Sequence, residues 1–208
     1  MFKRYPPLLL FFVTILVIAV LAVFGPEEQS LGSNVRIVYL HGAWVLAAEV
    51  AFAAAASVGF LALVLRRDGL HRWSAALGRA GIIFWVTYLP LSLWAMEANW
   101  NGLFLAEPRF RIALTFAIVG VLMQAGLWLI DIDWITSLAN LFFFVALRVV
   151  FSTTANVLHP PPSPIFSSGL WNIILFFIAM NLLAWIAAYF LTRVFLSYKS
   201  DGSDKSGV

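Results

Sequence analysis

Six apolar stretches, each long enough to cross a lipid bilayer, separate the polar residues of this 208-residue chain into short segments. A helix needs roughly 20 apolar residues to span the hydrocarbon core. Hydrophobic residues make up 62% of the chain and charged residues only 11%, and a soluble domain of this length could not bury so much apolar surface. The sequence therefore predicts an all-α, polytopic membrane protein with six transmembrane helices.

The predicted spans form a single six-helix transmembrane domain over residues 1–196. Their expected bounds are Pro7–Phe24, Val35–Leu65, Ala75–Met96, Phe110–Ile130, Ile135–Phe151 and Gly169–Leu196. Residues 197–208 are rich in Ser, Gly, Asp and Lys, which is typical of a disordered tail. We expect the first stretch to be a retained helix, because Pro26 follows the only small residue at its end, Gly25.

The distribution of Lys and Arg predicts the orientation, since basic residues collect on the cytoplasmic side of a membrane. If both termini share one side, nine of the 13 basic residues fall there. Both termini, and the tail, are therefore predicted to be cytoplasmic. Only four basic residues lie on or near the other side, namely Arg36, Arg109, Arg111 and Arg148.

Several classes of function lack their sequence signals. The chain has no Cys, which excludes disulfides, thiolate ligands and covalent haem attachment through a Cys-x-x-Cys-His motif. It carries no hydrolase elbow, zinc-protease motif or phosphate-binding Gly loop, and no basic run typical of nucleic-acid binding. We therefore expect a protein without enzymatic activity that does not bind nucleic acid.

Two of the three histidines, His41 and His159, lie where an apolar run meets a predicted outer segment. Six spans bring both to the same face of the membrane, although they are far apart in sequence. Two converging imidazoles could hold one metal ion, most plausibly the iron of a haem, from two sides. Trp44 stands one helical turn from His41 and could form an aromatic wall. The simpler alternative is an interfacial histidine that is hydrogen-bonded to a carbonyl.

The remaining ionisable residues leave two interpretations open. Arg36, Arg109 and Arg148 could bind an anion such as a haem propionate, or could each pair with a nearby carboxylate. Glu49, deep in the second span, could be a functional site or could pair with a buried polar group. The partners considered for it are Asn140, Gln124 and Arg79.

Two further polar segments, both near predicted cytoplasmic turns, have simpler interpretations. His71 is expected in a solvated cytoplasmic turn with a bend at Gly69, without a functional role. Asp131 and Asp133 are expected to cap helices.

Three segments resemble motifs of the cytochrome c assembly family, most closely the haem-delivery protein of the cytochrome c maturation system. RIVYLH at 36–41, followed by Trp44, is similar to that family's R-I-x-Y-x-H motif. NVLH at 156–159 resembles its N-T-L-H motif, and WNGLFLAEPR at 100–109 occupies the place of its tryptophan-rich motif ending in W-D-x-R. The sequence departs from the family in having fewer tryptophans in the central motif and Pro after His159.

The resemblance implies a binding and delivery role in cytochrome c-type biogenesis and haem transport. It implies non-covalent haem b at the outer face of a prokaryotic inner membrane, with His41 and His159 as axial ligands of the iron. Glu107 and Arg109 would occupy the acidic and basic motif positions, Arg36 or Arg109 would neutralise the propionates, and Trp100 and Phe104 would flank the porphyrin. The expected partners are the lipid bilayer and either other membrane subunits or a haem chaperone.

Two alternatives from other classes remain open at this stage. One is a structural or electron-transfer subunit of a larger membrane complex, which keeps the fold without delivering haem. The other is a small transporter in which Glu49 and Arg148 line a path; its usual mark is broken helices in matched halves. Pro90 is the only mid-span break that the sequence offers.

Overall fold

The computed structural model describes residues 6–155, 157 and 164–203, with side chains as far as residue 197. Seven helices account for nearly all of them: α1 Pro6–Val23, α2 Val35–Leu65, α3 Asp68–Trp100, α4 Pro108–Ile130, α5 Asp133–Thr153, α6 Pro164–Ser167 and α7 Trp171–Ser203. Every helix except α6 is long and apolar enough to cross a membrane. The prediction of an all-α, multi-pass membrane protein with six spans is confirmed.

The pair α2 and α3 forms the centre of the bundle. These two helices pack along each other more extensively than any other pair; α5 joins one side of the pair with α4 beside it, and α7 joins the other side with α1 beside it. The buried face of α2 is built largely from alanine, including Ala43, Ala47, Ala51 and Ala55. Small residues let helix backbones approach closely, which is how helices associate where lipid removes the hydrophobic driving force.

The two ends of the bundle differ in their connections. At one end, which we call the His71 end, only two residues join α2 to α3 and two join α4 to α5. Both turns use a left-handed residue, Arg66 with φ 51° and Asp131 with φ 50°, whose N–H groups bond back to carbonyls of the preceding helix. The opposite end, the His41 end, carries the longer connections 24–34, 101–107 and 154–170.

Helix α3 begins at Asp68 rather than at Ala75, so the prediction of a solvated turn for His71 was wrong. His71 lies in the first turns of α3 and is only 6% exposed. The turn closes at Arg66 and Arg67, and Asp68 supplies the acidic first-turn residue that a helix start favours. Gly69 is therefore helical and does not bend the chain.

Two helices continue through positions where the sequence suggested an end or a break. α7 continues to Ser203, beyond the end of the apolar run at Leu196, so residues 197–203 are helical where a disordered tail was predicted. Residues 204–208 lie outside the described residues. α3 passes through Pro90 as one continuous helix.

Aromatic side chains fill the interior between the central pair and α5. Trp85 is 1% exposed, and its ring contacts those of Phe52, Tyr88 and Phe151. The Trp85 indole N–H donates to the Ala113 carbonyl at 3.0 Å, which ties α3 to α4. This packing fixes Tyr88, one turn further along α3, at the base of the His41 end.

Candidate functional site

His41 lies in the seam between α2 and α3. Its half-buried ring stands 5.6 Å from the ring of Tyr88. One turn deeper in the same seam, the Trp44 indole N–H donates to the Thr87 hydroxyl at 3.1 Å, and its ring lies 5.3 Å from Phe84. Trp44 thus neighbours His41 on one face of α2, as the spacing predicted, but its polar group is used in packing α2 against α3.

Tyr88 packs against His41 from the α3 side of this seam. The residue is 5% exposed, with its ring 4.9 Å from that of Trp85 and 5.6 Å from that of His41. Tyr88 therefore joins the imidazole of α2 to the aromatic interior.

Glu107 and Arg109 lie side by side where the connection 101–107 enters α4. Glu107 is 3% exposed, and its carboxylate accepts the Phe110 N–H at 2.8 Å, which makes it the N-cap of α4 ahead of Pro108. Arg109 follows with its Nε buried and without a hydrogen-bond partner among the described residues. The helix dipole disfavours a cation in the first turn, whereas the neighbouring carboxylate of Glu107 favours it.

Glu49 forms an ion pair with Arg148, which joins α2 to α5. The distance from Arg148 Nη1 to Glu49 Oε2 is 3.1 Å, and the side chains of Arg148 and Glu49 are 52% and 25% exposed. The charge of Arg109 also acts on Glu49. The partners expected for Glu49 from the sequence, Asn140, Gln124 and Arg79, were wrong, because those side chains lie nearer the His71 end.

We call His41, Glu49, Tyr88, Glu107 and Arg109 the His41 cluster. Its members come from α2, α3 and the start of α4, and Arg148 adds a contact from α5. The half-buried imidazole of His41 can coordinate a metal through nitrogen, and the guanidinium of Arg109, whose Nε has no hydrogen-bond partner among the described residues, can hold an anionic group. No group of three or more His, Cys, Asp or Glu side chains that could hold a bare metal ion occurs within the described part of the chain.

Arg36 lies outside this cluster. Its Nε donates to the Gly25 carbonyl at 3.0 Å, and its Nη2 pairs with Glu27 at 3.2 Å. The Tyr39 hydroxyl donates to the Pro26 carbonyl at 3.1 Å from the same face of α2. Arg36 thus pairs with a nearby carboxylate, which was the second of the two interpretations given above, and this pair fastens the connection 24–34 to the start of α2.

Trp100 and Phe104 stand at the rim of the His41 end. Their rings meet edge to face with centroids 6.2 Å apart. Phe104 is 42% exposed, next to Leu103 and Leu105, which are exposed as well. Asn34 donates to the Ala98 carbonyl at 2.8 Å, which ties this rim to the start of α2. The rim therefore presents an apolar, partly aromatic edge.

His159 lies outside the described residues. The segments on either side of it, the end of α5 and the short α6, are both at the His41 end. α6 packs through Ile165 against Val35 and Tyr39 in the first turns of α2, and Phe166 lies 5.6 Å from Phe177 on α7. The connection that contains His159 is thus attached next to the helical turn that carries His41.

Sequence reasoning missed a second polar cluster, at the His71 end. His71 Nδ1 lies 2.7 Å from the Ser137 hydroxyl, and the Ser74 hydroxyl donates to the Ala55 carbonyl at 2.8 Å. Asn140 donates to the Ser74 carbonyl at 2.9 Å and accepts from Gln124 at 2.9 Å. All five side chains are at most 7% exposed. The sequence signal that could have revealed this cluster is the recurrence of Ser, Asn and Gln within apolar spans.

No family model, curated protein or solved structure matches this chain.

Proposed function

We propose that this membrane protein binds haem b non-covalently at its His41 end, with His41 as one axial ligand of the iron and His159 as the other. The role we infer is presentation or delivery of haem during cytochrome c biogenesis, as the three motif resemblances suggest. The observation that carries the proposal is the half-buried imidazole of His41 against Tyr88, at the same end of the bundle as Arg109, whose buried Nε has no hydrogen-bond partner among the described residues.

The residues present fit a haem in several respects. His41 offers an imidazole that is only half-buried at the end of a span. Arg109 offers a buried guanidinium nitrogen without a hydrogen-bond partner among the described residues, suited to a propionate. Arg36 does not offer this, because Glu27 and the Gly25 carbonyl occupy it. The exposed edge of Trp100 and Phe104 would flank the porphyrin.

Each part of the site would have a defined task. Haem supplies an iron that binds two imidazoles and changes oxidation state. His41 holds the iron, Arg109 neutralises a propionate, and Glu107 fixes the start of α4 so that Arg109 stays in place. Open connections at this end, in contrast to the two-residue turns at the other, would let a haem acceptor approach.

An absorption spectrum tests the proposal directly. The purified protein, oxidised and then reduced with dithionite, should show the bands of a b-type haem. His41→Ala and His159→Ala should each abolish or shift them, while His71→Gln, which alters a histidine at the opposite end, should leave them unchanged. A haem-free wild-type protein that also fails to take up added haem would overturn the proposal.

A structural or electron-transfer role within a larger membrane complex is the second candidate. The Glu49–Arg148 pair favours it, because a half-exposed ion pair on the side of membrane spans is costly in lipid and suits the face of a partner protein. Co-purification with other membrane proteins and a haem that resists exchange would support this candidate over delivery.

We further propose that both termini are cytoplasmic and that the membrane is a prokaryotic inner membrane. Arg66, Arg67 and Arg72 lie at the His71 end together with the start of α1 and the end of α7, and this placement supports the proposal through the charge rule. A reporter fused after Val208 should be active only in the cytoplasm. A reporter that is active outside would reverse the orientation and place the His41 cluster inside the cell.

A further inference from the structure

A half-open groove runs along the side of the bundle near the His71 end. α4 and α7 both pack on α3 but make little contact with each other, which leaves a gap of about 450 Å³ with α3 as its floor. The lining side chains are mostly apolar, and only Arg79 and Gln124 are polar. The apolar lining residues are Ile82, Ile83, Val121, Ala125, Trp128, Val194 and Phe195.

The volume and composition of this groove are those of a ligand site. Sites for small ligands are usually concavities of about 300–1,000 Å³ with apolar walls and a few polar groups that fix orientation. Here the walls are two membrane-spanning helices, so the groove opens sideways into the hydrocarbon. A ligand that enters it must therefore arrive from the bilayer.

Arg79 is the charged group of the groove. It is half-buried, and it forms no hydrogen bond and no ion pair within 4.0 Å among the described residues. Asp131 and Asp133 act on its charge only at longer range. A guanidinium on a membrane span is costly without a partner and usually marks a functional site. Its planar fork of donors matches the oxygens of a phosphate.

Gln124 adds a second polar atom at the same level. The residue is 7% exposed, and its amide N–H₂ donates to Asn140. Its Oε1 is buried without a hydrogen-bond partner among the described residues. A small rotation of the amide would let that oxygen accept from a donor in the groove.

The depth of Arg79 places its guanidinium close to the membrane surface. The residue follows the start of α3 at Asp68 by 11 positions, or about 16 Å at 1.5 Å per residue. Helical side chains point toward the helix start, so the guanidinium lies nearer the His71 end than its Cα does. The end of α4, marked by Trp128 and Asp131, lies at this level. If the end of α4 marks the membrane boundary, lipid phosphates would meet acyl chains at this level.

We propose that this groove is a binding site for one bilayer phospholipid, whose phosphate is held by Arg79 and whose acyl chain fills the apolar gap between α4 and α7. Basic pockets between spans on the side rich in Lys and Arg are suited to phospholipid headgroups. The phosphate would supply the direct hydrogen-bonded ion pair that Arg79 does not form with the described residues, since Asp131 and Asp133 act on it only at longer range, and the acyl chain would cover the floor of the groove on α3.

Native mass spectrometry of the full chain in detergent tests the site. The protein is titrated with phosphatidylglycerol and, separately, with diacylglycerol of the same acyl chains, which lacks only the phosphate headgroup. We expect phosphatidylglycerol to bind at least tenfold more tightly, as one charge-assisted contact implies. Arg79→Gln should remove this preference, and Arg79→Lys should keep part of it. Arg72→Gln, which removes an exposed arginine of the same helix, is the matched control and should leave it intact.

A second pair of variants tests the groove without touching the charge. Ala125→Phe should fill the gap and weaken binding of both lipids, whereas Leu122→Phe, on the lipid-facing side of the same helix, should not. Thermal unfolding of each variant shows whether it is folded. Equal binding of the two lipids to the wild type, or unchanged binding to both Arg79→Gln and Ala125→Phe, would overturn the proposal.

Discussion

The two ends of this bundle differ in how their polar side chains are paired and buried. Near the His71 end, the side chains of His71, Ser74, Gln124, Ser137 and Asn140 are buried and linked by hydrogen bonds across α2, α3, α4 and α5. At the His41 end, the ionisable side chains range from the buried Glu107 to the half-exposed Arg148, and Arg109 Nε has no hydrogen-bond partner among the described residues. The connections between helices differ in the same way: they are two-residue turns at the His71 end and longer segments at the His41 end.

This difference separates a structural task from a chemical one. Satisfied buried networks fix one arrangement of neighbouring helices, because any other arrangement leaves polar groups unpaired in a low-dielectric interior. Partly satisfied charges do not serve that purpose well, since they cost energy until a ligand or partner completes them. The His71 end therefore holds the helices in register, while the His41 end is available for binding.

The largest expected effect concerns the close helix contact at Gly59. A Cβ there would meet the Ser137 carbonyl oxygen at 3.0 Å and the Ser74 hydroxyl at 2.8 Å, so α2 and α5 would have to separate. We expect Gly59→Ala to lower the free energy of unfolding by about 1–3 kcal/mol, measured by SDS titration in mixed micelles. Gly126→Ala, where a Cβ would meet nothing within 4 Å, is the control and should not destabilise. Similar behaviour of the two variants would remove the basis for a tightly fixed His71 end.

Asn140 should show the next largest effect. Its side chain joins Ser74 on α3 to Gln124 on α4; Asn140→Ala would remove both bonds and leave the buried Gln124 amide without this acceptor, while the Ser74 hydroxyl would keep its bond to the Ala55 carbonyl. The expected loss is about 2 kcal/mol in the same unfolding assay. Asn181→Ala removes an equally buried amide that bonds only within its own helix, to the Phe177 carbonyl, and should cost less. A larger loss at Asn181 would contradict the view that links between helices stabilise this end.

The ion pair of the His41 end should contribute less. A double-mutant cycle with Glu49→Gln and Arg148→Gln should give a coupling of about 0.5–1 kcal/mol, because both side chains are partly exposed. The unfolding assay measures this coupling in detergent. A coupling of several kcal/mol would show that charges fix the helix packing at this end as firmly as hydrogen bonds do at the other.

The smallest effect is expected in the connection 24–34. Glu28 accepts hydrogen bonds from the Ser30 hydroxyl and from the Ser30 and Leu31 N–H groups, and the Ser30 hydroxyl bond is the main reason that the pKa of Glu28 is lowered. A lowered folded-state pKa means that the stabilisation is present above the ordinary value for Glu and is lost as the pH falls through the folded value. Ser30→Ala should raise the Glu28 pKa toward that ordinary value in an NMR titration. An unchanged pKa would show that the backbone donors alone set it.

The spans could be predicted from the sequence because their signals are local. α2 begins at Val35 and ends at Leu65, as expected, since polar residues bound the apolar run on both sides. The start of α3 was missed because Gly69 suggested a turn, while the actual turn is made by Arg66 in a left-handed conformation, which few residues other than Gly adopt. His71 was consequently placed in solvent, although it bonds to Ser137 across the core.

The candidate site was predictable only where its partners are close in sequence. Arg36 pairs with Glu27, nine residues away, as one of the two interpretations expected. Glu49 pairs with Arg148, which is 99 residues away in the sequence. The sequence offered several acceptable polar partners for Glu49, and only the arrangement of the helices determines which of them it contacts. The haem ligands stay a prediction, since His159 lies outside the described residues.

The two-residue turns of the His71 end have a consequence for how the protein can be modified. Each residue added between α2 and α3 would rotate α3 by about 100° about its axis, turning His71 and Ser74 away from α5 and α2. The connection 24–34 tolerates more, because it is fastened to α2 through Gly25, Pro26 and Glu27, while Gln29 and Ser30 near its middle are exposed. An epitope or fluorophore inserted at Gln29 should therefore leave the packing of the helices unchanged.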